Sequence, residues 1–288
     1  MKAILYKAFF SSWIIIKLVV PFTIVSDLLQ YFKVIDSISF IFEPFTNSLN
    51  LPSEVAVSFA SAIFFNLYAG IAIASTLELN AYQWTIVGTF MAICHSLPLE
   101  SAVLQKVGMN IYIHWVSRLI LGYIGANIAM YVIPQHLSTL SNEIKKIEPI
   151  KEFIPYIGAS ISHAFLLAFK VILLVVGMII FFESLKKLAW FKDFLEKHAY
   201  LSSLSVGGLL GITYGAGILL QEIKRVQLEA RILLIVFLMI AHGLIEETLI
   251  FAFFQADIES IFLIRMSLAL IVVSIIYIFL KYFVKKEK

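Results

Sequence analysis

The sequence is poor in charged residues and almost devoid of cysteine. Charged residues make up 14% of the 288, against about 25% in soluble domains, while 61% are hydrophobic. A soluble fold cannot hide that much apolar surface, because large exposed apolar patches aggregate. The single cysteine, Cys94, excludes an intramolecular disulfide and a cysteine-rich metal site. The composition therefore predicts an integral membrane protein that has the lipid bilayer as its partner.

Other absences narrow the function. The net charge is only +3 and the lysines cluster in short loops, whereas a protein that binds nucleic acid needs a basic face. The sequence has no Walker A loop, so we do not expect it to hydrolyse nucleotides. Residues 1–16 have no small-residue cleavage site, and their apolar run continues past signal-peptide length. We interpret this start as the first membrane helix.

Long apolar runs dominate the sequence. About 20 apolar residues form a helix that crosses the bilayer core. By that measure we predict an all-α polytopic fold with eight membrane segments, at about 9–33, 54–77, 81–107, 111–134, 157–183, 203–221, 230–254 and 260–281. Lysine and arginine are commoner in the loops on the same side as the termini, which predicts that both termini are cytoplasmic.

Two of these segments carry signals that break a helix. The first lies at residues 95–98, where Pro98 removes a backbone hydrogen bond. The second lies at residues 242–244, where Gly243 weakens the helix. If both segments are broken helices that cross the membrane once, each half has four membrane segments and the two halves are parallel. If each is a hairpin, the number of segments in each half is odd and the two halves are inverted. The pattern leaves both alternatives open.

When the sequence is displaced by 147 positions, it matches itself at two of its few histidines and two of its few arginines. Histidine occurs only six times. The matched pairs are His95 with His242, Glu100 with Glu247, Ser101 with Thr248, and Arg118 with Arg265. We interpret this as an internal repeat, with residues 1–137 and 157–288 as the two copies and residues 138–156 as a polar linker.

These eight matched residues are the candidate site. A charge at the bilayer centre costs on the order of 2.5–3.5 kcal/mol, so such side chains face the protein interior and find partners. We predict that the eight residues bind a substrate or ion near mid-membrane, at the interface of the repeats. Imidazole and carboxylate also suit divalent metals, with His95, Glu100, His242 and Glu247 as ligands. The structural alternative is that each glutamate only pairs with its arginine and holds the helices together.

Residues 94–108, which read CHSLPLESAVLQKVG, resemble the nucleoside-recognition or Gate domain family. That family includes bacterial spore maturation membrane proteins and the Gate regions of ferrous-iron permeases and nucleoside transporters. The resemblance is sharp only over the two stretches from histidine to arginine. It implies a transporter-like core with paired repeats in the cytoplasmic membrane of a bacterium or archaeon, and it names no solute.

We therefore predict a transporter or permease for a small polar solute, such as a nucleoside, or for a divalent metal ion. No resident cofactor is expected beyond a bound metal or coupling ion. The sequence leaves open whether the protein forms a homo-oligomer. The alternative from another class is a membrane scaffold that transports nothing. An intramembrane hydrolase is disfavoured, because Glu246 and Glu247 resemble the Glu-Glu-x-x-x-Arg motif of CAAX-type proteases but Phe251 stands in place of its arginine. We expect no enzyme activity.

Overall fold

The computed structural model describes residues 2–34, 42–134, 152–185, 187–188 and 227–284. Regular structure in those residues is entirely helical. The helices are α1 Lys2–Tyr31, α2 Glu43–Asn47, α3 Val55–Phe64, α4 Leu67–Ala74, α5 Ala81–Ile93, α6 Leu97–Leu104, α7 Ile111–Val132, α8 Phe153–Leu185, α9 Leu228–Ala241, α10 Glu246–Ile250 and α11 Ile258–Phe279. Gln105–Val107 and Phe251–Phe254 are 3-10 turns, and Leu280–Val284 is π-helical.

Six helical segments in the described residues are long and apolar enough to cross a membrane. They are Ala8–Tyr31, Ala81–Leu104, Ile111–Val132, Phe153–Phe181, Leu228–Phe254 and Ile258–Tyr282. Each corresponds to one of the eight predicted segments. The predicted segment at 203–221 lies outside the described residues. Most of the predicted polar linker, residues 138–156, also lies outside them.

The predicted single crossing at 54–77 is wrong, because this stretch forms the two short helices α3 and α4. Asn66 lies between the two helices with an extended backbone and caps the start of α4, where its side chain accepts a hydrogen bond from the Ala69 N–H at 2.9 Å. Asparagine is favoured at such a cap and disfavoured inside a helix. The helix α4 then folds back on α3, with Gly70 packed against Ala62. Neither helix has the length needed to cross a bilayer.

The contact at Gly70 gives a first prediction. A Cβ at this position would lie 2.6 Å from the Ala62 Cβ and 3.0 Å from the backbone oxygen of Ser58. Gly70→Ala should therefore destabilise the protein, since overpacking a tight contact costs about 1–3 kcal/mol. Gly177→Ala is the matched control, because no atom lies within 4 Å of a Cβ there. Thermal unfolding in detergent measures both, and equal melting temperatures for the two variants would contradict the tight packing.

Both predicted breaks are present. The helix α5 ends at Ile93 and α6 begins at Leu97, while α9 ends at Ala241 and α10 begins at Glu246. Ser96 and Gly243, which are 147 positions apart, both have left-handed backbones with φ of 52° and 57°. The two breaks therefore differ in sequence but share a residue with positive φ at the matching position.

The helices before and after the breaks form the core around the candidate site. The helix α5 packs on α7, α9 packs on α11, and α11 also contacts α5 and α7. Trp84 of α5 stacks on Phe254, with ring centroids 3.9 Å apart, and both side chains are fully buried. Since Phe254 belongs to the turn that follows the second break, this stack joins the two broken segments. The helices α1 and α8 pack along each other, and α1 also packs on α4.

Candidate ion or solute site

The two breaks place two histidines face to face. The Nε2 atoms of His95 and His242 are 3.3 Å apart, and both residues are buried. His95 Nδ1 lies 2.8 Å from the Met91 carbonyl, and His242 Nδ1 lies 2.9 Å from the Leu238 carbonyl. A carbonyl oxygen only accepts hydrogen bonds, so each Nδ1 carries the hydrogen. The backbone thereby fixes both rings with Nε2 turned toward the other histidine.

Two glutamates approach the same point with one oxygen each. Glu100 Oε1 lies 3.2 Å from His242 Nε2 and 3.7 Å from His95 Nε2. Glu247 Oε1 lies 3.4 Å from the Nε2 atom of each histidine. Each carboxylate is therefore shared between the imidazole of its own half and that of the other half.

Two fully buried arginines hold the remaining carboxylate oxygens. Arg118 Nη1 lies 2.5 Å from Glu100 Oε2, and Arg265 Nη2 lies 2.9 Å from Glu247 Oε2. The same guanidinium groups donate to the backbone carbonyls at the breaks. Arg118 Nη2 is 3.2 Å from the oxygen of His95, and Arg265 Nη2 is 2.6 Å from that of His242. Each arginine thus fixes both a carboxylate and a freed carbonyl.

The structure brings six of the eight predicted site residues into one cluster, which we call the His-Glu cluster. Its members are His95, Glu100, Arg118, His242, Glu247 and Arg265. Thr248 lies at its edge, where its hydroxyl accepts from Arg265 Nη1 at 3.5 Å. Ser101 belongs to a neighbouring network, in which its hydroxyl contacts His114 Nδ1 at 2.9 Å and accepts from Trp115 Nε1 at 2.8 Å.

His114 is a further buried neighbour of the His-Glu cluster that the sequence pattern does not single out. His114 lies near the start of the predicted segment at 111–134, a position that favours the membrane interface, but it is fully buried. Its Nε2 lies 3.9 Å from Glu100 Oε2, so it connects Ser101 to the cluster. The position 147 residues later is Ile261, and a search for residues shared by both halves therefore passes over His114.

A second buried polar group joins α1 to α8. Asp27 accepts a hydrogen bond from the Ser160 hydroxyl at 2.7 Å, and its backbone carbonyl accepts from the Tyr156 hydroxyl at 2.8 Å. His163 Nδ1 lies 3.6 Å from the Asp27 carboxylate. These contacts cross between the first long helix and the helix that follows the linker. We interpret them as a polar link between two lipid-facing helices.

The His-Glu cluster collects acceptor atoms in a buried place. With each Nδ1 hydrogen committed to a carbonyl, two Nε2 atoms and two Oε1 atoms lie 3.2–3.7 Å from one another across the histidine–histidine and histidine–glutamate pairs. His95, Glu100 and His242 also form a group of possible metal ligands whose donor atoms all lie within 4.8 Å of one another. Such an arrangement suits a cation or a solute with several hydrogen-bond donors.

Comparison with known proteins supports the membrane assignment. Over 283 residues the chain is 26% identical to the uncharacterized membrane protein YvoD of Bacillus subtilis strain 168, an alignment that covers 93% of this chain and 90% of that protein. The chain is an integral membrane protein. No protein-family model and no solved structure matches it. The Gate-family resemblance therefore stays a prediction.

Proposed function

We propose that the chain is a transporter or permease for a small polar solute or ion, with the His-Glu cluster as its binding site. The observation that carries the proposal is the direct approach of His95 and His242 from two separate helix breaks. Irregular backbone at membrane depth is tolerated where it packs against protein or lines a cavity. Transporters commonly build their sites from such broken helices near the midplane.

We further propose that the two halves are repeats that meet at this cluster. Positions 147 residues apart have matching roles in it. Met91 and Leu238 provide the carbonyls that hold the histidines, and Arg118 and Arg265 each reach a carboxylate and a break carbonyl. The resemblance to the Gate family agrees with this build. A location in the cytoplasmic membrane with both termini inside belongs to the same proposal.

The two adjacent glutamates favour transport over hydrolysis. Glu247 faces the histidines, whereas the Oε1 atom of Glu246 accepts a hydrogen bond from the Tyr68 hydroxyl of α4 at 3.4 Å. The two carboxylates therefore have different surroundings. A hydrolase centred on this pair would need both at one reacting centre. Absence of enzyme activity remains part of the proposal.

Flux into proteoliposomes tests the proposal. Purified full-length protein is reconstituted, and uptake of labelled uridine and of Co²⁺ is followed against empty vesicles. Glu100→Gln and Glu247→Gln should each reduce uptake by more than about tenfold, because loss of a buried hydrogen-bonded charge at a binding site costs about 2–5 kcal/mol. Glu43→Gln is the control, since Glu43 is exposed on α2.

The pattern of losses separates the alternatives. Similar losses for Glu100→Gln and Glu247→Gln support one site shared by the two halves. Loss at Glu247 alone would favour a hydrolase-like site. Absence of flux for either probe, with a correctly folded protein, would favour the scaffold, in which each glutamate only pairs with its arginine.

A further inference from the structure

We infer that the His-Glu cluster binds one divalent transition-metal ion through the Nε2 atoms of His95 and His242 and the Oε1 atom of Glu100, with the Glu247 carboxylate beside both histidines. The inference rests on the proposed function for the role of the cluster and names its cargo class. The sequence favours an organic solute and a metal ion equally as cargo, and this inference selects the metal ion. Four observations carry it.

The first observation is the state of the imidazole rings. Metal-binding histidines almost always donate their second ring N–H to a carboxylate or a backbone carbonyl, which fixes the ring and its tautomer. His95 and His242 each do this with the carbonyl four residues earlier, at 2.8 and 2.9 Å. Each ring is thus held with Nε2, the atom that would bind a metal, pointing into the cluster.

The second observation is the spacing of the donor atoms. Zinc takes nitrogen and oxygen ligands at about 2.0–2.2 Å in tetrahedral geometry, which places neighbouring donors about 3.3–3.6 Å apart. The two Nε2 atoms are 3.3 Å apart, and the four nitrogen–oxygen separations run from 3.2 to 3.7 Å. Direct hydrogen bonds between such groups are about 2.7–3.2 Å long. The donors of His95, Glu100 and His242, which all lie within 4.8 Å of one another, therefore have a spacing that fits ligands around one ion, and Glu247 Oε1 lies 3.4 Å from both nitrogens.

The third observation is the division of the carboxylate oxygens. In both glutamates Oε1 faces the histidines while Oε2 makes the shorter contact with arginine, at 2.5 Å for Arg118 and 2.9 Å for Arg265, and Arg118 Nη2 also reaches Glu100 Oε1 at 3.5 Å. Carboxylates that bind metals are commonly oriented by hydrogen bonds to their second oxygen. The arginines thus act as positioning residues that hold each carboxylate with Oε1 turned toward the histidines.

The fourth observation is the small size of the gap. Donors only 3.2–3.7 Å apart leave room for one atom between them, whereas a nucleoside ring would have to push the histidines apart. Both histidine side chains are almost completely buried and fixed at Nδ1. The donor set of imidazole and carboxylate suits zinc, iron, cobalt and nickel, and it disfavours magnesium, which prefers all-oxygen sites.

Metal titration of the purified full-length protein tests the inference. The protein is treated with chelator in detergent, the chelator is removed, and Co²⁺ or Zn²⁺ is added, with Mg²⁺ as comparison. Calorimetry should give one ion per chain for Co²⁺ and Zn²⁺, and bound Co²⁺ should show the intense visible absorption of a four-coordinate site. Mg²⁺ should bind at least about a hundredfold more weakly.

Variants locate the site. His95→Gln and His242→Gln should each weaken Co²⁺ binding by about a hundredfold or more and alter the visible spectrum, because each removes one ligand. His163→Gln is the matched control, since His163 belongs to the separate Asp27 group. Circular dichroism and gel filtration establish that each variant is folded. A misfolded variant is replaced by the alanine variant at the same position.

The outcomes separate this inference from the transport proposal. Equal Co²⁺ binding by the wild type and a folded His95→Gln/His242→Gln double variant would overturn the metal site. Uridine flux without metal binding would overturn it as well, while leaving a transporter. Stoichiometric metal binding that is lost in the histidine variants, without flux of Co²⁺, would support the site and count against transport.

Discussion

Arg118→Ala is expected to lower the free energy of unfolding by about 3–5 kcal/mol, because removing one partner leaves a buried carboxylate without its counter-charge. Arg118 is fully buried and contacts both Glu100 Oε2 and the carbonyl of His95. Its loss therefore frees two buried acceptors together, one of them at the helix break. Arg265→Ala should have a similar effect, since Arg265 makes the corresponding contacts with Glu247 and His242.

A second variant distinguishes the effect of removing the whole Glu100–Arg118 ion pair from the effect of leaving Glu100 without its partner. Glu100→Gln/Arg118→Met removes both charges, so it should be more stable than Arg118→Ala alone, although the Glu100 oxygens lose their strongest donor. Chemical unfolding in mixed detergent micelles, followed by circular dichroism, measures the stabilities of the single and double variants. A double variant that is less stable than Arg118→Ala would show that the ion pair does not account for the loss.

Gly243→Ala should be the other strongly damaging change, for two separate reasons. The backbone at Gly243 is left-handed, with φ of 57°, which costs a residue with a Cβ roughly 1–2 kcal/mol. A Cβ there would also collide with the Glu247 carboxylate, which Arg265 holds in place. Displacing that buried carboxylate from its donors adds about 1–3 kcal/mol. Both the melting temperature and the affinity for Co²⁺ should fall.

Two controls divide this effect into its parts. Gly108→Ala measures the backbone cost alone, because Gly108 also has a positive φ but no atom lies within 4 Å of a Cβ there. Ser96→Gly makes the first break resemble the second and should change stability by less than about 1 kcal/mol, since relief of the left-handed backbone is offset by the added flexibility of glycine. Equal losses for Gly108→Ala and Gly243→Ala would mean that the collision with Glu247 is unimportant.

The helix breaks were predictable from the sequence because their causes are local. Pro98 can be accommodated in the first turn of α6, where its missing N–H has no helical partner to lose, and the chain must leave α5 before it. Gly243 supplies the left-handed turn without a steric cost. Asn66 carries a comparable local signal, and the interpretation of 54–77 as one crossing gave it too little weight against hydropathy.

The composition alone determined that this is a membrane protein, and the scarce matched residues alone identified the histidines, glutamates and arginines of the candidate site. Those conclusions depend on residue type and on spacing along the chain. Only the tertiary structure decided that residues 147 positions apart touch, that each glutamate contacts both an arginine and the two histidines, and that His114 is buried beside them. The physical reason is that helix packing sets these distances, and the packing depends on shape complementarity between segments far apart in the chain.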